Sequence, residues 1–158
     1  MGQFYFGDNV DKWVNFKLAL TMAGKNIHGH WDMTFENRIL LSKSIGATDA
    51  EASVAFLKEL QELVLSSPEG VTTPWVAISD SRNWGGLSLD AGEATDKITE
   101  WVQKNNCIFS AVVMSKKLQK FTTDTALSNQ TFTVFFDDDE AYQACKEKLL
   151  QANKTHEA

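Results

Sequence analysis

WVAISDSRNWGGLSLDAGEA, residues 75–94, is the stretch whose reading decides the fold. It opens on PWVAIS (74–79), a short and nearly continuous apolar run that ends at Asp80. Such a run predicts a strand covered on both faces of a sheet. Its far end holds DAGE (90–93), where Asp90 can cap a helix and Glu93 can reach back to the cap. Ala94, Ile98, Trp101 and Val102 follow at helical spacing and make one apolar stripe. The stretch therefore reads as a strand, a loop carrying Trp84, Gly85 and Gly86, and the start of a helix.

The same unit lies upstream. In TDAE (48–51) Thr48 is placed to cap and Glu51 to reach back, and Phe56, Leu60, Leu63 and Val64 form the stripe of the helix behind it. Pro68 and Gly70 stop that helix. Before it, HWDMTFENRILLSKSIGAT (30–48) holds two apolar-rich runs on either side of EN, which predicts two antiparallel strands joined by a short turn.

Downstream, CIFSAVVM (107–114) is too apolar and β-branched for an exposed strand and belongs inside a sheet. A short helix with Leu118 and Phe121, the strand TFTVFF (131–136) and a helix over DDDEAYQACKEKLL (137–150), capped by Asp137 with Glu140 behind it, complete the pattern. The polar tail QANKTHEA (151–158) is expected to fray. Alternating strands and helices imply one α/β domain over residues 1–158, with an N-terminal antiparallel hairpin, later parallel strands and about four helices. Residues 1–27 form an N-terminal extension. Its WVNFKLALTM (13–22) alternates as a strand does, although Val10, Trp13, Val14 and Leu18 also fit a helix behind Asp8.

The bulk composition narrows the partners. A formal charge of −6 argues against a nucleic-acid backbone or an anionic membrane surface. Lys116, Lys117 and Lys120 make a small basic patch that reads as a solvated face. Cys107 and Cys145 have no metal-ligand spacing and suit free thiols in a reducing cytosol. No apolar run reaches the roughly 20 residues of a membrane helix, the start lacks the regions of a signal peptide, and Phe6 stands where a myristoylation motif on Gly2 wants Ser or Thr. A cytoplasmic protein without membrane insertion is expected.

The hairpin, GAT leading into a capped helix, WVAISDSRNWGG and FFDDDEAYQACKEKLL together resemble the SpoIIAA-like group of the STAS domain superfamily, over about 31–150. The resemblance implies a mixed sheet with helices against it and, usually, a protein that binds a regulatory partner or a small ligand and does no catalysis. In the antagonists of that superfamily a serine at the start of the helix after the third strand is phosphorylated, within a phrase like Asp-Ser-Ser-Gly. Here the matching residues are Asp90, Ala91 and Gly92, and Ala91 has no hydroxyl. Ser88 lies before that position; a phosphate on it would still sit near the positive end of the helix, so it is the candidate phospho-site.

Asp80, Ser81, Arg82 and Trp84 are the candidate ligand or partner loop. Past the carboxyl end of a sheet strand, an Asp and an Arg could pair, bind an anion or position a water. The plainer alternative is a turn in which Asp80 bonds neighbouring N–H groups. An exposed Trp84 could cover an apolar ligand or anchor a partner; the alternative is a ring folded over the edge of the core. His28, His30 and Asp32 alternate in HGHWD, but Gly29 weakens the strand and no fourth ligand is evident, so no metal is assigned. No GxSxG, GxxxxGK or GxGxxG is present, so neither a catalytic set nor a cofactor is assigned. The leading expectation is a non-enzymatic binding or regulatory protein, acting through a protein partner or a small apolar ligand. The alternatives are a small hydrolase or isomerase using Asp80 and Arg82, and a phosphoserine-switched regulator. The identity of the partner and the existence of a homodimer are left open.

Overall fold

Asn37 and Arg38 both have positive φ, 53° and 63°, the backbone of a tight hairpin turn whose twist matches the strands it joins. It connects β1 (His30–Glu36) to β2 (Ile39–Thr48) as the antiparallel pair that the sequence predicts, with the turn one residue later than the EN phrase, since Glu36 still pairs with Ile39. The computed structural model describes residues 29–116 and 132–156. After β2 come α1 (Ala50–Leu65), β3 (Trp75–Leu87), α2 (Gly92–Lys104), β4 (Cys107–Val113), β5 (Thr133–Phe135) and α3 (Asp138–His156). The strands lie in chain order, and β2, β3, β4 and β5 are mutually parallel. The strand expected in WVNFKLALTM and the short helix with Leu118 and Phe121 lie outside the described residues.

Period-two alternation along the apolar strands divides the core into two layers. Trp75 and Ala77 of β3 face α1 and α2, where they pack with Trp31, Leu40, Leu60 and Val64. Val76 and Ile78 face α3 and pack with Ile39, Ala111, Val113, Cys145 and Leu149. Among the described residues, the two helices that cross between parallel strands, α1 and α2, lie on one face, as the handedness of such crossovers requires. Trp75 is wholly buried and its indole N–H donates to the Asn105 carbonyl at 2.6 Å, so the largest core residue leaves no polar atom unpaired. Arg38 fastens the hairpin turn from outside: its guanidinium donates to the Pro74 carbonyl and to Asn153 Oδ1, each at 3.2 Å.

The structure departs from the sequence reading at four places. The strand that opens at Trp75 does not stop at Asp80. It runs to Leu87, because β2 continues as its parallel partner as far as Thr48. Gly85 serves that pairing: a Cβ there would press on the backbone of Gly46 and Ala47 at 3.0–3.1 Å. Asp49, not Thr48, caps α1, accepting the Ala52 N–H at 2.8 Å, while Thr48 closes β2. Asp90 does not cap α2; Ala91 holds the cap position without a side-chain bond, and Asp90 accepts the Ser88 hydroxyl instead. Finally, α3 continues through the residues read as a tail to His156, where the Thr155 hydroxyl donates to the Gln151 carbonyl at 2.8 Å.

Candidate functional site

Asp80, Ser81, Arg82 and Trp84 belong to β3, so strand geometry distributes them between the two faces of the sheet. Asp80 and Arg82 point toward α3, where Arg82 bonds Asp138. Ser81 lies on the opposite face. Alternation alone would return Trp84 to the α3 face, but from Asp80 to Asn83 β3 takes three steps along the chain where β2, from Lys43 to Ile45, takes two. This bulge reverses the alternation, and Trp84 joins Ser81 on the side of α1. The single candidate loop is thereby divided into two sites.

On the α3 face, Arg82 Nε and Nη2 donate to the two carboxylate oxygens of Asp80 at 3.0 and 2.9 Å, and the Arg82 backbone N–H adds a third bond at 3.1 Å. Nη2 also meets Asp138 at 2.9 Å. Burial pushes the Asp80 carboxyl up, but the Arg82 hydrogen bonds and the charges of Arg82 and Lys43 outweigh it, so it stays below the usual range. Asp138 moves the other way: burial raises it, Arg82 offsets only part, and the charges of Asp80 and Asp137 add to the rise. A carboxylate stabilised in its charged form is a weak general base. Asp80 and Arg82 line neither of the cavities described next. This network fastens β3 to α3.

On the other face the sheet meets α1 and α2 around a cleft. Its floor is Ser42 and Ser79, paired in register on β2 and β3, with Ser42 donating to Ser79 at 3.0 Å. Phe56 and Leu60 of α1 and Ile98 of α2 wall a cavity of about 280 Å³. A second cavity of about 150 Å³ shares Ser42, Phe56, Ser79 and Phe132 with the first and extends past Ser44, Ser81 and Leu87 to Trp84. The shared residues make the two one cleft along the ends of β2 and β3. Trp31 meets Phe56 edge to face at 5.8 Å, and the Trp84 N–H donates to Thr48 Oγ1 at 2.9 Å, so two aromatic walls are held from behind.

A serine nucleophile needs a base within hydrogen-bond reach, and among the described lining residues there is no His, Asp, Glu or Lys. Cys107 lines the larger cavity, but burial pushes its thiol up, keeping it protonated and unreactive. His30 and Asp32 share a face of β1, His28 lies outside the described residues, and among the described residues no three metal-ligating side chains converge.

Ser88 is exposed between β3 and α2, its backbone N–H on the Thr48 carbonyl at 2.9 Å. Ala91, three residues on, is fully buried. Sequence reasoning passed over Ser42, Ser79 and Phe56. The signal for the serines was present, since Ser-Lys-Ser (42–44) and Ser-Asp-Ser (79–81) close the apolar runs of two successive strands. Nothing local marks Phe56 as a cleft wall.

The sequence matches no family model and no curated protein. Solved structures do match the fold. An uncharacterized protein of the DUF3478 family with a SpoIIAA-like fold, from Shewanella loihica, superposes with a TM-score of 0.55 at 24% identity, covering 77% of this chain and 98% of that one. The fold is SpoIIAA-like. An anti-sigma factor antagonist from Mycobacterium paratuberculosis superposes with a TM-score of 0.52 at 17% identity, over 78% of this chain and 97% of its own. The SpoIIAA-like fold thus accounts for the hairpin, the parallel strands and the helices on both faces of the sheet. Among the described residues no helix is long and apolar enough to cross a membrane.

Proposed function

We propose that this chain is a non-enzymatic binding protein of regulatory type that receives a small amphipathic molecule in the cleft between the sheet and α1 and α2. One observation carries the reading: cavities of about 280 and 150 Å³ run together over the Ser42–Ser79 floor beneath Phe56 and Trp84. Apolar walls with a few convergent polar groups are the usual form of a small-molecule site. The two free thiols fit a reducing compartment, and the cytoplasm is the proposed place of action. Native mass spectrometry of the purified full chain tests the reading. A bound small molecule that dissociates on denaturation is the expected result, whereas a clean apo mass from several extracts would remove the support for it.

A second reading, recognition of a protein partner, is favoured by Leu89. This leucine is fully exposed between Ser88 and Asp90, beside the start of α2, and the Mycobacterium neighbour is by name an anti-sigma factor antagonist. An exposed anchor of this kind suits a partner's apolar pocket. A pull-down in which Leu89→Asp loses a protein that the parent chain retains would support it, and equal recovery by both chains would refute it.

A further inference from the structure

We infer that the ligand of the cleft is uncharged and carries a hydrogen-bond acceptor, a carbonyl or hydroxyl, beside an apolar chain; the inference rests on the cleft being the binding site. Among the described lining residues of both cavities there is no Asp, Glu, Lys, Arg or His, in a chain where 23% of residues are charged. The polar groups that face the cleft are hydroxyls, the Gln103 carboxamide and the protonated Cys107 thiol. An ionised ligand group would give up its hydration there and find no countercharge among the described lining residues.

The acceptor requirement comes from the floor. Ser42, itself buried, uses its hydroxyl proton on Ser79. A serine hydroxyl has one proton to give, and among the described residues that of Ser79 makes no further hydrogen bond. A carbonyl or hydroxyl oxygen above Ser79 would take it. Ser42 and Ser79 lie where the two cavities join, with Leu60 and Ile98 on one side and Leu87 and Trp84 on the other. The polar group of the ligand therefore belongs at this junction, with its apolar chain lying along one of the two cavities.

Calorimetric titration of the full chain with octanamide, octanoate and octylammonium tests this, because the three share a chain and differ in charge. The protein's charge of −6 attracts octylammonium at long range, which makes its rejection the stringent arm. Octanamide is expected to bind at least tenfold more tightly than either ion. Phe56→Ala should weaken it, and Ser79→Ala should weaken it about fivefold, while Ser79→Thr, which keeps the hydroxyl, should restore most of the affinity. Circular dichroism checks that each variant is folded. If either ion binds as well as octanamide and Phe56→Ala weakens that binding, the cleft is the site and its ligand is not neutral. Octanamide binding that ignores Ser79→Ala overturns the acceptor. If none of the three binds, or binding ignores Phe56→Ala, the cleft reading falls as well.

Discussion

Arg82 on β3 and Asp138 in the first turn of α3 are 56 residues apart in the chain and 2.9 Å apart in space. The same guanidinium holds Asp80 in a two-pronged grip, so one side chain pairs with two buried carboxylates, 7% and 9% exposed. Arg82→Met keeps the aliphatic stem and the backbone N–H on Asp80 but takes the guanidinium from both acids. The cost expected is about 1–3 kcal/mol, limited by the 41% exposure of the Arg82 side chain, which lets water replace part of the guanidinium. Urea unfolding of the two proteins measures it.

The two acids should pull stability in opposite directions with pH. Asp80 is held below its ordinary value near 3.8, so its contribution is complete above that value and is lost as the pH falls through its lower folded value. Asp138 is raised above 3.8. It therefore penalises folding at neutral pH, and the penalty is relieved as the pH falls through its raised folded value. Relative to the parent, Asp80→Asn should lose its disadvantage below about pH 4. Asp138→Asn should lose ground to the parent as the pH is lowered. Denaturant titrations of the three chains between neutral pH and about pH 3 separate the two slopes.

Gly29 has φ +90°, and a Cβ on it would collide with the Ala47 carbonyl oxygen. Gly70 also has positive φ, +51°, but a Cβ there would find its nearest neighbour at 3.9 Å. Gly29→Ala is expected to cost about 2–4 kcal/mol, combining backbone strain with displacement of the β1–β2 end. Gly70→Ala should cost only about 1 kcal/mol. Thermal unfolding that ranks the two equally would refute the steric argument.

Both thiols should be silent in the native state. Burial pushes Cys145 up to about 12, with the neighbouring Cys107 adding to the shift, and Cys107 is itself raised. A thiol reagent at pH 8 is expected to label neither within minutes and both in denaturant.

Much of the fold was legible because its signals are local. The EN turn, the stripe of Phe56, Leu60 and Val64, the Asp137 cap and the buried run VAI are each decided within a few residues. The cap of α1 went astray by one position because Thr48 and Asp49 are adjacent and both can cap; the choice fell to Asp49 once β2 claimed Thr48 for pairing. The length of β3 was illegible for a different reason. RNWGG has the composition of a loop, and only a parallel partner brought from a distant part of the chain makes it a strand. For the candidate site, the sequence puts Asp80, Ser81, Arg82 and Trp84 in one loop, and their division between the two faces was not legible, since a bulge is a property of two strands and leaves no mark on one.

That bulge sets a rule for how this stretch can vary over evolution. Because Asp80 and Arg82 serve one face and Ser81 and Trp84 the other, side chains from 80 to 84 can be exchanged singly, each change felt on one side of the sheet alone. Length follows a different rule. With Asn83 removed, plain alternation from Arg82 would still carry the indole to the α1 side, so the strand would lose its bulge and keep its cleft wall. One residue added there, with the bulge kept at its present size, would send the indole toward α3 and vacate that wall. Related chains should therefore show substitutions here freely and insertions almost never.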